Sequence, residues 1–334
     1  MKKVKSGGSH PVAIKILVVF VVLSAFLNFL PKPQNHVGEN PLMKEDGALP
    51  ILVAHRGGDG EFPGNTLEAF YNAYTVDNRV IMETDINITK DGVLILCHET
   101  SLNKRTNVGG AISSWNYSDL LEQKVNFGYH SGKLFKDENG KEVKPSDLEG
   151  KPEGLENRDS EIYLVTSLED LMVTFPNNII SIEIKQSGEI GMKALKEALR
   201  LIEKYDAWDR IILASFHDDI YAEYCRLDKS GEVPENFLYS PSMGGVVKYY
   251  LLYLFGLDIF FYDGISVLQL PTSKYGFSFV TENLMNNART HNIPIHYWTV
   301  NDEEEMRWLI KCGADAIETD YPHKYKAVVD ELNN

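Results

Sequence analysis

The stretch VIMETDINITKDGVLILCHE, residues 80–99, decides the predicted fold. Glu83 and Asp85 stand two residues apart among apolar and β-branched residues, so an extended strand projects both carboxylates to the same side. Two like charges this close favour a cation between them, and carboxylate oxygens are the ligands that Ca²⁺ and Mg²⁺ prefer. The pair Asp91-Gly92 then predicts a hairpin turn that returns the chain as a second strand.

Two histidines follow short apolar runs in this part of the chain. His55 comes directly after ILVA (51–54), and His98 comes directly after LILC (94–97). Because such runs indicate buried strands, each imidazole is expected near the carboxyl end of a strand. Paired carboxylates with two nearby imidazoles predict metal-assisted acid/base chemistry.

Apolar runs and amphipathic segments alternate from residue 51 onward. The predicted strands are 51–54, 80–86, 93–97, 179–184, 211–215, 237–240, 264–268, 294–298 and 315–318. The predicted helices include Leu67 to Thr75, Met192 to Tyr205, Glu282 to His291 and Glu303 to Lys311. Strands that are apolar on both faces and separated by helices form a parallel sheet covered by helices. The α/β pattern therefore predicts a closed (β/α)8 TIM barrel, with 93–97 paired to 80–86 as a hairpin.

A barrel brings the carboxyl ends of all its strands to one face. SIEIK, residues 181–185, ends a predicted strand with Glu183 and Lys185, again two positions apart. We therefore expect Glu183 to join Glu83 and Asp85 around a single divalent cation, while Lys185 reaches a phosphate.

Residues 100–165 break the alternation of strands and helices. They include a charged section from Lys133 to Asp159 that is rich in glycine and proline. We expect a surface insertion after the second barrel strand, beside the barrel mouth. A loop without a functional role and a part in substrate choice are both compatible with this pattern.

An ordered set of motifs resembles the glycerophosphodiester phosphodiesterase family. The motifs are His55-Arg56-Gly57, Pro-x-Asn-Thr66, Glu83-x-Asp85, Thr89-Lys-Asp-Gly92, His98-Glu99, Glu183-Ile-Lys185, Ser215-Phe216, Trp298-Thr-Val-Asn301 and Gly313-Ala-Asp-Ala-Ile-Glu-Thr-Asp320-Tyr-Pro322. The resemblance covers residues 51–328. It implies a (β/α)8 barrel hydrolase that uses one divalent cation, Ca²⁺ or Mg²⁺.

The resemblance also implies a role for each matching position. The metal ligands would be Glu83, Asp85 and Glu183. The general acid/base pair would be His55 and His98. The groups that bind the substrate would be Arg56, Lys185 and Trp298. These residue types suit the reaction. The negative charge of a phosphodiester must be neutralised, an attacking oxygen must be activated, and the departing alkoxide must be protonated.

One motif departs from the family pattern. Where the family has Pro-Glu-Asn-Thr, this chain has Pro63-Gly64-Asn65-Thr66. If that glutamate orients the neighbouring His-Arg pair, either catalysis is slower here or Glu61 substitutes from the same loop.

The first 50 residues precede the barrel. Three lysines come before an apolar run from Pro11 to Leu30, and about 20 apolar residues span a bilayer. A cleaved signal peptide is the alternative, but no small-x-small cleavage motif stands before Pro31. We expect 1–30 to be a cytoplasmic tail and transmembrane anchor, 31–50 a flexible linker, and 51–330 a barrel outside the cytoplasm.

A second apolar segment, VVKYYLLYLFGLDIFFY (246–262), falls where the helix after the fifth barrel strand is expected. Such a helix normally has a polar outer face, yet the charged residues here are only Lys248 and Asp258. Its four tyrosines suit a membrane–water interface. A buried barrel helix and a surface resting on lipid both fit, whereas Gly256 and Asp258 interrupt a full membrane span.

Composition limits the partners. The formal net charge of -15 argues against a nucleic-acid partner, which would require basic patches. Cys97, Cys225 and Cys312 lack metal-type spacing and indicate neither a disulfide framework nor a zinc site.

Three functions are compatible with these features. The first is hydrolysis of glycerophosphodiesters to glycerol 3-phosphate and an alcohol. The second is a lysophospholipase D reaction at the same site, which releases the head group from a lysophospholipid; some membrane-associated members of the resembled family have this activity. The third is a non-catalytic barrel that binds phosphodiesters, which the two histidines oppose.

Overall fold

A computed structural model describes residues 10–35, 37–150, 155, 158–274 and 276–333 of the 334-residue chain. The strands are β1 (Ile51–Ala54), β2 (Ile81–Ile88), β3 (Leu94–Leu96), β4 (Tyr129–His130), β5 (Lys133–Leu134), β6 (Ile180–Ile184), β7 (Ile211–Ala214), β8 (Leu238–Tyr239), β9 (Leu268–Pro271), β10 (Ser273–Lys274), β11 (Phe277–Ser278), β12 (Ile295–Trp298) and β13 (Ala316–Thr319). The helices are α1 (His10–Leu27), α2 (Leu67–Val76), α3 (Tyr117–Glu122), α4 (Leu168–Thr174), α5 (Gly188–Lys204), α6 (Asp218–Ser230), α7 (Met243–Leu254), α8 (Glu282–Thr290), α9 (Glu303–Cys312) and α10 (Pro322–Leu332).

The central sheet is a barrel of parallel strands in the order β8-β7-β6-β2-β1-β13-β12-β9. A backbone hydrogen bond of 2.8 Å from Ser266 N to Tyr239 O joins the two ends of this order. The predicted TIM-type barrel is therefore confirmed. Its strands lie close to the predicted positions, except that β9 begins at Leu268, where the predicted strand 264–268 ends.

Strand β2 shows how burial on both faces builds this sheet. All of its residues are buried. Met82 and Ile86 belong to the large core cluster that includes the helices, while Ile81 packs with Val53 in a separate cluster. Because side chains alternate along a strand, Glu83 and Asp85 share the inner face with Ile81.

Strand β2 continues into the predicted hairpin. It pairs antiparallel with β3, and Gly92 in the turn has a φ of 90°, which glycine adopts without steric cost. After β3, the backbone N–H of Cys97 donates to the carbonyl of Asp85 at 2.9 Å. The hairpin thus brings His98 to the carboxyl-terminal side of strand β2.

The segment before β1 covers the base of the barrel. Val37 is 6% exposed and Leu42 is fully buried, and both pack in the cluster that contains Val53 at the start of the strands. The Asn40 amide donates to the carbonyl of Ser266 at 2.8 Å. The prediction of a flexible linker over 31–50 is wrong, because this segment supplies apolar side chains that the open end of the barrel buries.

A buried ion pair fixes the beginning of this segment. Lys32 Nζ lies 2.8 Å from Asp258 Oδ2, and both side chains are almost inaccessible to solvent. The same oxygen lies 2.9 Å from His291 Nε2 and accepts from the Asn287 amide at 2.9 Å. The chain is therefore attached to the barrel from Lys32 onward.

Helix α1 projects from this attachment and contacts the barrel near its end. The Ser24 hydroxyl donates to the carbonyl of Phe255 at 2.8 Å, and the rings of Phe20 and Phe255 meet edge to face with centroids 6.4 Å apart. Phe20 is 38% exposed and Ile16 is 65% exposed.

Within the described part of the chain, no helix combines the length and the apolar character that crossing a membrane requires. The predicted transmembrane anchor is not supported by this structure. The three lysines on which the predicted orientation depends lie in residues 1–9, outside the described residues.

The predicted insertion lies between β3 and α4. Its regular structure includes α3 and the short β4–β5 hairpin. Phe127, Phe135 and Tyr163 are buried in the main core cluster, so this part of the chain packs on the barrel. Residues 151–154 and 156–157 of its charged section lie outside the described residues.

The second apolar segment, 246–262, has one buried side and one exposed side. Tyr249 is 1% exposed and stacks edge to face with the buried ring of Phe261. Val247 and Leu251 are nearly half exposed. The segment is therefore a barrel helix that presents an apolar outer face.

Candidate active site

Three carboxylates converge inside the mouth of the barrel. Strands β2 and β6 pair in a register that sets Asp85 opposite Glu183. One ligand oxygen from each of Glu83, Asp85 and Glu183 lies within 4.8 Å of the others. The structure thus brings together the three residues predicted to bind the cation.

The electrostatics of this cluster fit a divalent cation. Burial and the neighbouring charge of Asp85 raise the pKa of Glu83 well above its usual value. Burial also raises the pKa of Glu183, although Lys185 opposes this effect. A buried set of carboxylate oxygens that repel one another is the donor set that suits Ca²⁺ or Mg²⁺, so the residues present fit such an ion.

Two cationic side chains flank the carboxylates. Arg56 Nε lies 3.1 Å from Asp85 Oδ2, and Lys185 Nζ lies 2.8 Å from Glu183 Oε1. Burial opposes the charge on Asp85, but these two cations hold its pKa below the usual value. Arg56 and Lys185 also line the cavity described below.

A carboxylate orients the first histidine. His55 Nδ1 lies 2.6 Å from Asp320 Oδ1, so Nδ1 carries a proton and Nε2 faces Glu318, 4.0 Å away. Burial lowers the pKa of His55, but Asp320 and Glu83 together raise it above the usual value. Asn301 holds Asp320 in place through an amide hydrogen bond of 2.6 Å.

The second histidine reaches the same cavity from the hairpin. His98 follows β3, and its Nδ1 lies 3.4 Å from Glu99 Oε1. Arg105 Nε lies 3.4 Å from the other oxygen of Glu99. Both His55 and His98 line the cavity, as predicted from their positions after apolar runs.

Asp59 explains the departure at Gly64. A Cβ on Gly64 would lie 2.5 Å from Asp59 Oδ1, so a side chain at this position would require Asp59 to move. Asp59 makes two hydrogen bonds of 2.9 Å with Arg105 and lies 3.3 Å from Arg56 Nη1. Burial opposes its ionisation, but Arg105 lowers the pKa of Asp59 to about 2. A different acidic residue therefore supports Arg56.

Glu61 does not take this part. Its Oε2 accepts a hydrogen bond from the amide of Asn72 at 2.7 Å and lies 2.7 Å from His323 Nδ1. The suggestion that Glu61 substitutes for the missing glutamate is wrong, because its carboxylate turns toward α2 and α10.

Asn65 is a supporting residue that stands in a quoted motif without an assigned role. Its amide donates to Asp85 Oδ2 at 3.0 Å, while its carbonyl accepts from the Thr84 hydroxyl at 2.8 Å. Asn65 adopts a φ of 65°, a left-handed conformation that asparagine tolerates better than most residues. It thereby fixes the carboxylate of Asp85.

Glu318 is a further carboxylate in the mouth to which the sequence analysis assigned no role. It lies on β13, is 4% exposed, and lines the same cavity as His55. Burial and the charge of Asp320 raise the pKa of Glu318 to about 8. In the sequence it stands in the quoted motif over 313–322, as the charged residue of the otherwise uncharged strand AIET.

The cavity extends from this site into an apolar groove. It has a volume of about 880 Å³, with the histidines and carboxylates at one end. The groove side is formed by the α7 residues Val247, Leu251 and Leu254 and by Phe277 of the β10–β11 hairpin. Trp298 also lines the cavity, with its ring centroid 5.9 Å from that of Phe216.

Comparison with known proteins agrees with this geometry. The sequence profile of the Glycerophosphoryl diester phosphodiesterase family matches residues 55–324. A glycerophosphodiester phosphodiesterase of Caldanaerobacter subterraneus is 26% identical over 273 residues, or 81% of this chain and 94% of that protein. Lysophospholipase D GDPD3 of Homo sapiens is 24% identical over 300 residues, or 84% of this chain and 85% of that protein.

Solved structures share the fold. A phosphodiesterase of Oleispira antarctica, in complex with the product sn-glycerol-3-phosphate, aligns with a TM-score of 0.62 at 17% identity. The alignment covers 84% of this chain and 97% of that structure. Since the family profile spans most of the chain, the protein belongs to the glycerophosphoryl diester phosphodiesterase family and is a phosphodiester hydrolase.

Proposed function

We propose that this enzyme hydrolyses glycerophosphodiesters to glycerol 3-phosphate and an alcohol in a reaction that requires one divalent cation. The observation that carries the proposal is the convergence of three carboxylates, two imidazoles and two cationic side chains on one cavity. The product in the Oleispira antarctica structure supports the same reaction class for a protein of this fold.

Glu83, Asp85 and Glu183 would hold the cation, either Ca²⁺ or Mg²⁺. When bound, such an ion supplies positive charge that attracts phosphate oxygens and stabilises charge in the transition state. Arg56 and Lys185 add positive charge on the same side of the cavity, and the planar guanidinium of Arg56 can hold two phosphate oxygens together.

The two imidazoles perform the proton transfers in this proposal. Asp320 fixes a proton on His55 Nδ1, which leaves Nε2 to accept a proton from the attacking oxygen. His98 lines the same cavity from the hairpin and donates a proton to the departing alkoxide. Asp320 also stabilises the imidazolium that forms on His55.

Removal of divalent cations should abolish this activity. After dialysis against a chelator, we expect the release of glycerol 3-phosphate from glycerophosphocholine to fall by about 100-fold or more. Addition of Ca²⁺ or Mg²⁺ should restore it. Circular dichroism of the dialysed protein serves as the control for folding, and full activity of the metal-free protein would disprove the cation's role.

The apolar groove favours a second candidate, a lysophospholipase D reaction on the same site. Val247, Leu251 and Phe277 extend the cavity away from the polar end, and a single acyl chain would bury its surface there. A human relative carries the name lysophospholipase D. In this alternative, the phosphodiester occupies the same polar end while the acyl chain follows α7.

We also propose that the groove opens toward a lipid surface. Leu254 and Phe255 at the end of α7 are more than half exposed, and α1, with its exposed apolar side chains, contacts Phe255. Exposed apolar surface of this extent is unusual for a monomer in water. Attachment to a membrane, with the catalytic domain outside the cytoplasm, remains a prediction from the sequence.

The substitution Leu251→Asp tests both proposals, because Leu251 lines the groove and is 47% exposed. We expect the ratio of lysophosphatidylcholine turnover to glycerophosphocholine turnover to fall by about 10-fold, together with weaker sedimentation with phosphatidylcholine vesicles. Val173→Asp is the matched control, since Val173 is 55% exposed on α4 and away from the groove. If the wild-type enzyme hydrolyses the soluble diester but not lysophosphatidylcholine, and does not sediment with vesicles, both lipid proposals are contradicted.

A further inference from the structure

Glu318 is a buried carboxylate without a hydrogen-bonding partner. It is 4% exposed, and no residue that the structure describes donates a hydrogen bond to it. The side chain that forms an ion pair with Glu318 is His55, whose Nε2 lies 4.0 Å from Glu318 Oε1. A carboxylate in this setting either takes up a proton or is neutralised by a cation, and the position of Glu318 on the cavity wall leaves room for a cation.

The atoms around Glu318 are arranged as cation ligands. One ligand atom from each of His55, Glu83 and Glu318 lies within 4.8 Å of the others. Metal–ligand bonds of about 2.0–2.2 Å would require these atoms to move closer together than the 4.0 Å that separates His55 Nε2 from Glu318 Oε1. The opposite ring nitrogen of His55 is bonded to Asp320, as in the carboxylate–histidine pairs that orient metal-binding imidazoles.

We propose that His55, Glu83 and Glu318 form a second divalent-cation site, joined through Glu83 to the site of Glu83, Asp85 and Glu183. The proposal rests on the proposed function in one respect, because Glu83 is also assigned to the first cation. Pairs of cations about 3.5–4 Å apart are a known arrangement in phosphodiester chemistry. The second site differs in its ligands, since it contains an imidazole.

The imidazole determines which ion the second site prefers. Histidine nitrogen suits Zn²⁺, whereas Ca²⁺ and Mg²⁺ favour the all-oxygen site. Mn²⁺ prefers oxygen ligands and binds a mixed nitrogen and oxygen site more weakly than Zn²⁺ does. A cation on His55 Nε2 occupies the nitrogen that accepts a proton in the proposed reaction. The second site is therefore inhibitory, and the enzyme should be activated by one class of divalent ion and inhibited by another.

Manganese binding tests the site without reference to turnover. We expect the wild-type chain, dialysed to equilibrium with excess Mn²⁺, to bind two ions with a spin-coupled electron paramagnetic resonance signal. Glu318→Gln should bind one ion with an uncoupled signal. Glu183→Gln is the matched variant, because it removes a ligand from the first site alone and should also bind one ion. A single ion on the wild-type chain, or two on Glu318→Gln, would overturn the proposal.

Zinc inhibition provides a second measurement. In the presence of saturating Mg²⁺, we expect Zn²⁺ to inhibit the wild-type enzyme. The Zn²⁺ concentration that halves the rate should be about 10-fold or more higher for Glu318→Gln than for the wild type, with each rate normalised to that protein's rate without Zn²⁺. An equal Zn²⁺ sensitivity in both proteins would contradict an inhibitory role. If the wild type binds one ion and still hydrolyses glycerophosphocholine, the second site is wrong and the proposed function stands.

Discussion

Replacement of either candidate acid/base histidine should lower turnover by about 10²–10⁴-fold while leaving substrate binding nearly intact. The substitutions are His55→Ala and His98→Ala, each of which removes a proton-transfer group but leaves Arg56 and Lys185 to bind the phosphate. The measurements are kcat on glycerophosphocholine and the Kd of a non-hydrolysable phosphodiester.

His130→Ala is the matched control, since His130 is exposed on the short strand β4. Its turnover should equal that of the wild type. Wild-type turnover in either of the other two variants would remove that histidine from the mechanism. Loss of phosphodiester binding, with equal loss of kcat/KM, would instead indicate that the imidazole binds the substrate.

The largest expected effect on stability comes from the segment that covers the base of the barrel. Leu42→Ala should lower the free energy of unfolding by about 2–5 kcal/mol, because Leu42 is fully buried and its loss leaves a cavity among the lower barrel side chains. Urea unfolding followed by circular dichroism measures this change.

Met43→Ala is the control for that substitution, since the neighbouring Met43 is only partly buried. We expect a clearly smaller loss of stability from it. Equal effects of the two substitutions would show that Leu42 does not pack in the base, and the segment would then be a linker after all.

Much of the fold follows from local patterns. The strand that contains Glu83 and Asp85 is apolar on both faces, and the structure buries every residue of it. The Asp91-Gly92 turn predicts the β2–β3 hairpin because glycine provides the positive φ of 90° at Gly92. These features depend on the period of side chains along a strand and on turn chemistry, which a single sequence contains.

The supporting residues of the site were harder to find. Asp59, Asn65 and Asp320 hold Arg56, Asp85 and His55 respectively, through contacts that join residues up to 265 positions apart. Asn65 and Asp320 stand in quoted motifs without an assigned role, and no spacing marks Asp59. An acidic residue in a loop has the same local appearance whether it faces solvent or an arginine.

The burial of the N-terminal segment also could not be predicted from local sequence. Its prolines, glycine and charged residues resemble those of a linker, yet Val37 and Leu42 are buried. The open base of the barrel provides the surface that buries them, and that surface exists only once the strands have closed.

The sequence by itself determined the barrel and the hairpin, and it placed Glu83, Asp85 and Glu183 and the two histidines at strand ends, because side-chain periodicity and strand-end positions are local properties. The tertiary structure decided which acids support them, how the base is covered and where Glu318 points. Those outcomes depend on contacts between distant parts of the chain, where burial and neighbouring charge set the energy of each group.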